Sequence, residues 1–351
     1  MLFRSRRADL IGQGTGTLGL KPGLGGPPTT PFRASMIADV PHDPIVSFAQ
    51  NREDVVLWRA IGGVTAGRYV EIGANHPTTF SVTRAFYDHG WSGITVEPIG
   101  EFVDMHRSER HRDAQVQAAV VARPQELVTL FQIDGTGLST TRQEYSTVHQ
   151  SHGWSPHATT VPALTLDQIL DAAEWRTHDT HFMVIDVEGA EAEVLTGVDL
   201  TQWRPWVVVV ESTQPLSATP TYQEWESILT DADYEFCMFD GVSRFYVAAE
   251  RAELLREHLA YPACALDPFI DDRLRTTELD RDAAGTQVVH WRTIALTQWA
   301  DALAEALERS RGGDEAEWLR RELEAMRQTL SWRITWPLRF VRLMAGRVGS
   351  R

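Results

Sequence analysis

The stretch Arg68-Tyr-Val-Glu-Ile-Gly-Ala-Asn-His76 decides the fold. Tyr69 to Ile72 is a short apolar run with one acid, Glu71, in its middle, and it ends at Gly73. Small and amide residues follow, then Pro77 and a helical pattern. That order predicts a strand, a tight turn and a helix start, the arrangement that lets a backbone approach a ligand closely.

Outward from this stretch, strand and helix patterns alternate. Upstream, Ser47 to Asp54 leads into Val55, Val56, Leu57, Trp58 and Ile61, an amphipathic helix stopped by Gly62-Gly63. Downstream, the pattern predicts a helix over 81–89, a strand over 93–97, a helix over 102–109 and a strand over 114–121. An extra strand over 127–133 precedes a polar segment, 134–158, read as a long structureless binding loop or lid. A helix over 164–173 follows, with Thr165 as its N-cap. The alternation resumes with a strand at 181–187, a helix at 190–195, the most apolar strand at 206–211 and a helix at 222–231. Two last strands, 234–239 and 244–248, flank Asp240-Gly241, a hairpin signal. Repeated strand–helix units predict an α/β fold with a mostly parallel, Rossmann-like sheet that ends in an antiparallel hairpin.

Composition narrows the function. The 351 residues carry a formal net charge of −15, so the chain gains nothing from a phosphate backbone and no nucleic-acid partner is expected. Two cysteines, Cys237 and Cys264, form no metal or disulfide spacing, which fits a cytoplasmic setting. No run of 18 apolar residues predicts a membrane span, and no apolar segment follows the basic N-terminus to make a secretory signal. Residues 1–44 read as a disordered tail. Gly14-Thr-Gly16-Thr-Leu-Gly19 within it matches G-x-G-x-x-G by letter, but it lacks both the strand before and the helix after that the motif needs. From 286 to 351 a helical extension is expected, with segments at 294–309 and 315–330 around Gly312-Gly313. Trp318, Leu319, Leu323, Met326 and Leu330 give it a coiled-coil-like stripe. Its last stretch, from Ser331, is basic and carries Trp332 and Trp336. Its arginines and tryptophans suit packing on a neighbouring surface or peripheral contact with an anionic membrane.

Ligands of open parallel sheets bind beyond the C-terminal strand ends. The polar residues expected there are Gly73, Asn75 and His76, then Glu97, Asp186, Glu188 and Glu211. Glu97 ends a strand about 20 residues past the glycine turn, where an acid accepts ribose hydroxyls. The turn has Ala74 and Asn75 where a dinucleotide fingerprint has further glycines. A nucleoside without phosphate tolerates this better, and S-adenosylmethionine is such a ligand. Glu71 suits its ammonium or sulfonium charge.

The chain resembles the FkbM-type methyltransferase family. The resemblance rests on Ser47–Asp54, Glu71-Ile-Gly-Ala-Asn75, Val82–Trp91, Gly93-Ile-Thr-Val-Glu-Pro98, Leu138-Ser-Thr140, Val184-Ile-Asp-Val-Glu-Gly-Ala-Glu191, Arg204–Glu211 and Phe239–Val247, in order across about residues 45–270. It implies a class I fold and methyl transfer from S-adenosylmethionine to a hydroxyl, commonly of a sugar in a glycan, glycolipid or glycosylated metabolite. By position it makes Glu71, Gly73, Asn75 and Glu97 cofactor contacts and sets Ala119 near the adenine. Asp186 or Glu188 would then be the base, or help hold a divalent metal that lowers the hydroxyl pKa. His76 is a second base candidate. Ser139 and Thr140 are expected to line the acceptor site with Glu211. His149, His152 and His157 lack a carboxylate partner in sequence, which argues against a metal triad there. Two other readings remain open: an NAD-type oxidoreductase on the same sheet, and a non-catalytic scaffold that works through the helical extension.

Overall fold

The computed structural model describes residues 44–175, 178–309 and 313–328. The N-terminal segment with its G-x-G-x-x-G letters, and the basic tail from Ser331, lie outside the described residues. The chain divides into two compact units, one up to Asp272 and one from Arg273.

The first unit runs β1 (Ile45–Ser47), α1 (Glu53–Ile61), β2 (Arg68–Ile72), α2 (Arg84–Asp88), β3 (Ser92–Val96), α3 (Gly100–Glu109), β4 (Ala114–Val116), β5 (Ala119–Val120) and β6 (Leu127–Gln132). It continues with α4 (Gln143–Ser151), β7 (His157–Leu164), α5 (Leu166–Ala172), β8 (Phe182–Ile185), α6 (Glu191–Thr196), β9 (Val207–Glu211) and α7 (Glu226–Asp231). It closes with β10 (Tyr234–Phe239), β11 (Ser243–Ala248), α8 (Ala249–Leu255) and β12 (Phe269–Asp271).

Seven strands form a mixed sheet in the order β10-β11-β9-β8-β2-β3-β4. From β9 to β4 each neighbouring pair is parallel, and β11 pairs antiparallel with both β9 and β10. The apolar runs follow from burial on both faces. Along β8 and β9, Met183, Ile185, Val208 and Val210 enter one core, while Phe182, Val184, Val207 and Val209 enter the other, the two-residue period of a pleated strand. The chain moves outward from β2 through β3 to β4, then returns to lay β8 on the other side of β2. The crevice at that switch, between the C-terminal ends of β2 and β8, is where such sheets bind ligands.

Three local expectations give way. The helix after β2 starts at Arg84, not Ser81, because the preceding residues are committed to side chains below them: the Val82 N–H and the Thr83 hydroxyl donate to Glu71. The strand expected over 114–121 is two strands. β4 ends its ladder on β3 at Val116, and Ala119–Val120 pairs in parallel with β7 in a separate sheet, β5-β7-β6. The segment 134–158 is not structureless. It holds α4 and the start of β7, which reads as polar because much of both elements faces solvent. Thr165 does cap α5, with its side chain accepting from the Gln168 N–H in a full capping box. Asp240-Gly241 does turn the hairpin, where Asp240 Oδ1 accepts from the N–H groups of Val242 and Ser243 at 2.9 and 2.7 Å.

A buried arginine braces this half of the sheet. Arg110 is fully buried and donates to the Pro77 carbonyl at 3.0 Å and to Thr83 and Ser81 hydroxyls at 2.6 Å each. It lies 3.8 Å from the Glu71 carboxylate and 3.7 Å from that of Asp113, which also accepts from the Tyr69 hydroxyl at 2.7 Å.

In the second unit, α9 (Asp272–Arg309) begins 22 residues before the expected Ile294. Its early turns lack an apolar stripe, but they are rich in helix formers such as Leu, Arg, Glu and Ala. α10 (Asp314–Gln328) follows, and Ala300 and Leu303 of α9 pack with Leu319 and Leu323 of α10. Among the described residues no helix is long and apolar enough to cross a membrane.

Candidate functional site

A cavity of about 550 Å³ opens over the C-terminal ends of β2, β3, β8 and β9. Glu71, Gly73, Asn75, Glu97, Ala119, Ser139, Asp186, Glu188 and Glu211 all line it. His76 and Thr140 do not.

The β2 turn is bound to its neighbours from both sides. Gly73 has φ +79°, and a Cβ on it would stand 1.7 Å from the Asp186 carbonyl oxygen, so only glycine lets β2 and β8 approach this closely. The N–H groups of Gly73 and Ala74 donate to the Val96 carbonyl at 3.0 and 3.1 Å, and the Asn75 N–H donates to Glu97 Oε2 at 2.9 Å. The turn amides are therefore spent inside the protein rather than offered to a phosphate, which corrects the expectation that they face a ligand. Asn75 sits at φ +43°, and its carbonyl accepts from His106 Nε2 at 3.0 Å. Burial holds His106 neutral by lowering its pKa to about 4, so the imidazole has one N–H, and this bond places it on Nε2.

Glu97 is buried at the end of β3. Its Oε1 accepts from the Ile99 N–H at 2.9 Å, while Oε2 takes Asn75. Burial pushes its pKa up to about 7, although both hydrogen bonds oppose the shift. Glu71 is buried too. Burial raises its pKa, with Arg110 and the Thr83 hydroxyl pulling the other way. Its carboxylate thus holds the loop before α2 in place while it forms part of the cavity wall.

At the β8 and β9 ends, Asp186, Glu188 and Glu211 each bring one carboxylate oxygen within 4.8 Å of the others. Among the described residues this is the one group of acids, histidines and cysteines whose donor atoms converge, so His149, His152 and His157 do not. Asp186 is enclosed by protein yet open to solvent through the cavity, whereas Glu188 and Glu211 are half-buried. Enclosure raises all three pKa values, Glu188 and Glu211 strongly, and mutual repulsion adds to it in the two glutamates. Asp186 and Glu211 are close enough to hydrogen-bond, which requires a proton on one of them. Glu211 keeps it, because Asp186 has better access to water for its charge. One oxygen each of Glu188 and Glu211 is shut off from water and has no hydrogen-bond partner among the described residues.

Glu188 owes its aim to the backbone. It stands at φ +52°, followed by Gly189 at φ +98°. Its carbonyl accepts from the Thr140 hydroxyl at 2.7 Å. Thr140 therefore does not touch an acceptor, because its hydroxyl is used from behind to fix the Glu188 turn. The N-terminal end of α6 is served by Glu191, whose Oε1 accepts from the N–H groups of Val187 and Gly189 at 3.3 and 3.0 Å. That leaves the Glu188 carboxylate free to point into the cavity. Ser139 lines the cavity, and its Oγ accepts from the Ile133 N–H at 3.0 Å. His76 does not line the cavity. Its Nδ1 accepts from the N–H groups of Thr78 and Thr79, both at 3.0 Å, so it shapes its own turn away from the cavity.

Sequence reasoning missed the wall contributed by Gln50, Asn51 and Glu53. The signal was present in Ser47–Asp54. Asp54 is fully buried and accepts from the Ser47 hydroxyl and the Phe48, Ala49 and Val55 N–H groups, which folds the segment so that Gln50 and Asn51 face the cavity. Glu53 accepts from the Asn51 N–H at 3.0 Å, and burial with nearby Asp240 pushes its pKa up to about 8. Phe80 and the segment 213–217 were missed as well.

A search of curated proteins finds no match to this chain. Residues 71–236 match the family model described as the Methyltransferase FkbM domain. The match begins at Glu71 on β2 and takes in the glycine turn, Glu97 and the Asp186–Glu188–Glu211 group, so the residues that build the cavity floor are those the model spans. Residues 71–236 are thus similar to the FkbM methyltransferase domain.

Proposed function

We propose that this protein is an S-adenosylmethionine-dependent O-methyltransferase whose acceptor is a hydroxyl of a sugar in a glycan, glycolipid or glycosylated metabolite. The observation that carries the reading is one cavity with Glu97 at the β3 end and the Asp186–Glu188–Glu211 group at the β8 and β9 ends. Two strand spacings separate β3 from β8, roughly 10 Å, which suits a nucleoside at one side and the methyl group at the other. The strand order supports a class I reading.

S-adenosylmethionine supplies an electrophilic methyl group. Glu97 accepts the ribose hydroxyls with lone pairs left after its two backbone bonds. Ala119, buried beside the cavity wall, gives the adenine a flat apolar contact. At the other side, Asp186 takes the acceptor's hydroxyl proton as the C–O bond forms and the C–S bond breaks. Its raised pKa brings a carboxylate nearer to the range where a general base works well. Enclosure by protein raises it, while the hydrogen bond from Glu211 acts the other way. The oxygen donors of this group also fit a hard divalent cation, which would lower the hydroxyl pKa, and Asp186, Glu188 and Glu211 would hold it.

The proposal is tested by calorimetry with purified protein, followed by incubation with labelled S-adenosylmethionine and an extract of sugar-containing compounds from the source cell. Binding of S-adenosylmethionine, competed by S-adenosylhomocysteine but not by NAD, is expected. Absence of binding refutes the proposal. Loss of transfer in EDTA, restored by magnesium or manganese, would assign the metal.

A further inference from the structure

S-adenosylmethionine carries an α-carboxylate as well as a sulfonium and an ammonium. The carboxylates of the cavity suit its two positive groups, but among the described residues no lysine, arginine or histidine lines the cavity to meet the negative one. Backbone amides at the start of a helix commonly bind anions. Here the amides of the β2 turn donate to Val96 and Glu97 instead. On the methyltransferase reading above, on which this inference rests, the carboxylate must be met by neutral donors.

The wall from Gln50 to Glu53 supplies them, and its neighbours fix its place. Ala49 bridges Phe80, and in the same loop the Val82 N–H donates to Glu71 of β2. On the other side, the Asn51 side chain donates to the Asp240 carbonyl at 3.3 Å. That hairpin turn lies against the end of β9, where the Val242 carbonyl accepts from the Ser212 N–H at 2.9 Å. The wall therefore runs from the β2 end to the β9 end, on the side away from Glu97 of β3. With adenosine at Glu97 and Ala119 and the methyl group at Asp186, the third arm of the sulfonium, the amino-acid chain, is left to this side.

Two side chains of the wall suit a carboxylate. Gln50 is exposed, lines the cavity and makes no hydrogen bond among the described residues, so its amide is free to donate. Glu53 is buried yet borders the cavity, and its Oε2 accepts from the Asn51 N–H at 3.0 Å. Burial, with Asp240 and Asp54 nearby, raises its pKa to about 8 and keeps the carboxyl neutral at pH 7. A neutral carboxyl has one O–H to donate, and with Oε2 accepting, the proton sits on Oε1. We infer that the Gln50 amide and the Glu53 O–H donate to the α-carboxylate of S-adenosylmethionine and hold the amino-acid end of the cofactor against this wall.

The test is calorimetry on the purified full chain with S-adenosylmethionine and with decarboxylated S-adenosylmethionine, which lacks only the carboxylate. Glu53→Ala should weaken S-adenosylmethionine about 10-fold or more and leave the decarboxylated ligand within about two-fold of its wild-type Kd. Gln50→Ala, at an exposed position with no partner to lose, should show the same selectivity at about 3- to 10-fold. Glu53→Gln keeps an oxygen for Asn51 and an N–H for the ligand, so at pH 7 its affinity should stay within about three-fold of wild type. Between pH 7 and pH 9 wild type ionises Glu53 and should lose affinity several-fold more than Glu53→Gln does. Asp54, Asp240 and the other cavity acids are common to both proteins, so their titration cancels in that comparison. Equal losses for the two ligands, or a raised acceptor KM with an unchanged S-adenosylmethionine Kd, overturn the inference and leave the methyltransferase reading intact. Failure of the wild-type protein to bind either ligand refutes that reading itself.

Discussion

Replacing Gly73 by alanine tests how the two halves of the sheet meet. Two costs add. The left-handed conformation at φ +79° costs an alanine about 1–2 kcal/mol. The new Cβ would lie 1.7 Å from the Asp186 carbonyl oxygen, while real contacts stay above 3.0 Å, so one backbone must retreat by more than an ångström. That retreat strains the Asp186 N–H to Ile72 carbonyl bond and the Gly73 N–H to Val96 carbonyl bond, both 3.0 Å long. At about 1 kcal/mol each, the sum is about 3–4 kcal/mol. Gly90 is the control. Its φ is +88°, but a Cβ there meets nothing within 4 Å, so Gly90→Ala carries only the conformational cost. Thermal unfolding followed by circular dichroism should place Gly73→Ala roughly 6–16 °C below wild type, at about 2–4 °C per kcal/mol for a unit of this size. Gly90→Ala should lose no more than half as much. Calorimetry should also show weakened S-adenosylmethionine binding in Gly73→Ala alone, because Asn75 and its bond to Glu97 move with the β2 turn. Equal losses in the two variants would refute the close approach of β2 and β8 as the reason for a glycine.

Four further outcomes are expected. Glu97→Gln sets an amide donor against the N–H of Asn75 or Ile99, and the S-adenosylmethionine Kd should rise about 10- to 100-fold by calorimetry; an unchanged Kd would remove Glu97 from the nucleoside site. Asp186→Asn should lower kcat by about 10²- to 10⁴-fold in a radiolabel transfer assay while cofactor affinity holds, and undiminished kcat would exclude it as the base. Arg110→Met leaves Glu71 and Asp113 buried without their cation, at a cost of about 3–5 kcal/mol in urea unfolding; a loss under 1 kcal/mol contradicts the bracing role. Burial raises the folded pKa of Glu53 to about 8, of Glu97 and Glu191 to about 7, and of Asp54 and Asp113 to about 6. The folded state therefore holds more protons than the unfolded one. Stability from these groups is fully present below their ordinary carboxylate range and is lost as pH climbs through 6 to 8. The ligand-free protein should melt lower at pH 8.5 than at pH 6 by scanning calorimetry, and a melting point that rises over that interval would contradict it.

The parts of this architecture that were legible in the sequence are those where one physical cause acts alone. The run Tyr69–Ile72 with Gly73, the valines of β9, the Thr165 cap and the Asp240-Gly241 turn each follow from a local pattern that nothing opposes. The strand-end rule carried Glu97, Asp186, Glu188 and Glu211 to the cavity for the same reason. Elsewhere a distant partner decided the outcome. The apolar letters run on past Val116, but the hydrogen bonds change partner from β3 to β7, and no local pattern marks that exchange. Arg110 reads as a surface charge until the loop from Pro77 to Thr83 folds over it. His76 and Thr140 were of the right residue type beside the right motif, yet each spends its polar atoms on the backbone of a turn. Glu53 was hidden because its segment faces the cavity only after Asp54 gathers the chain around itself.

The parallel pairing of β1 with β12 has a consequence for the order in which the protein is made. Ile45–Ser47 lies beside Phe269–Asp271, and Arg52 reaches Asp271 at 3.0 Å across 219 residues of sequence. A ribosome adding ~5–20 residues per second needs roughly 10–40 s to cover that distance. Throughout this interval β1 has no strand partner, and the segment from Gln50 to Glu53 is held upstream by Asp54, which accepts from Ser47, Phe48 and Ala49. The wall it supplies to the cavity is therefore shaped locally first and tied to β12 only once Asp271 has been made.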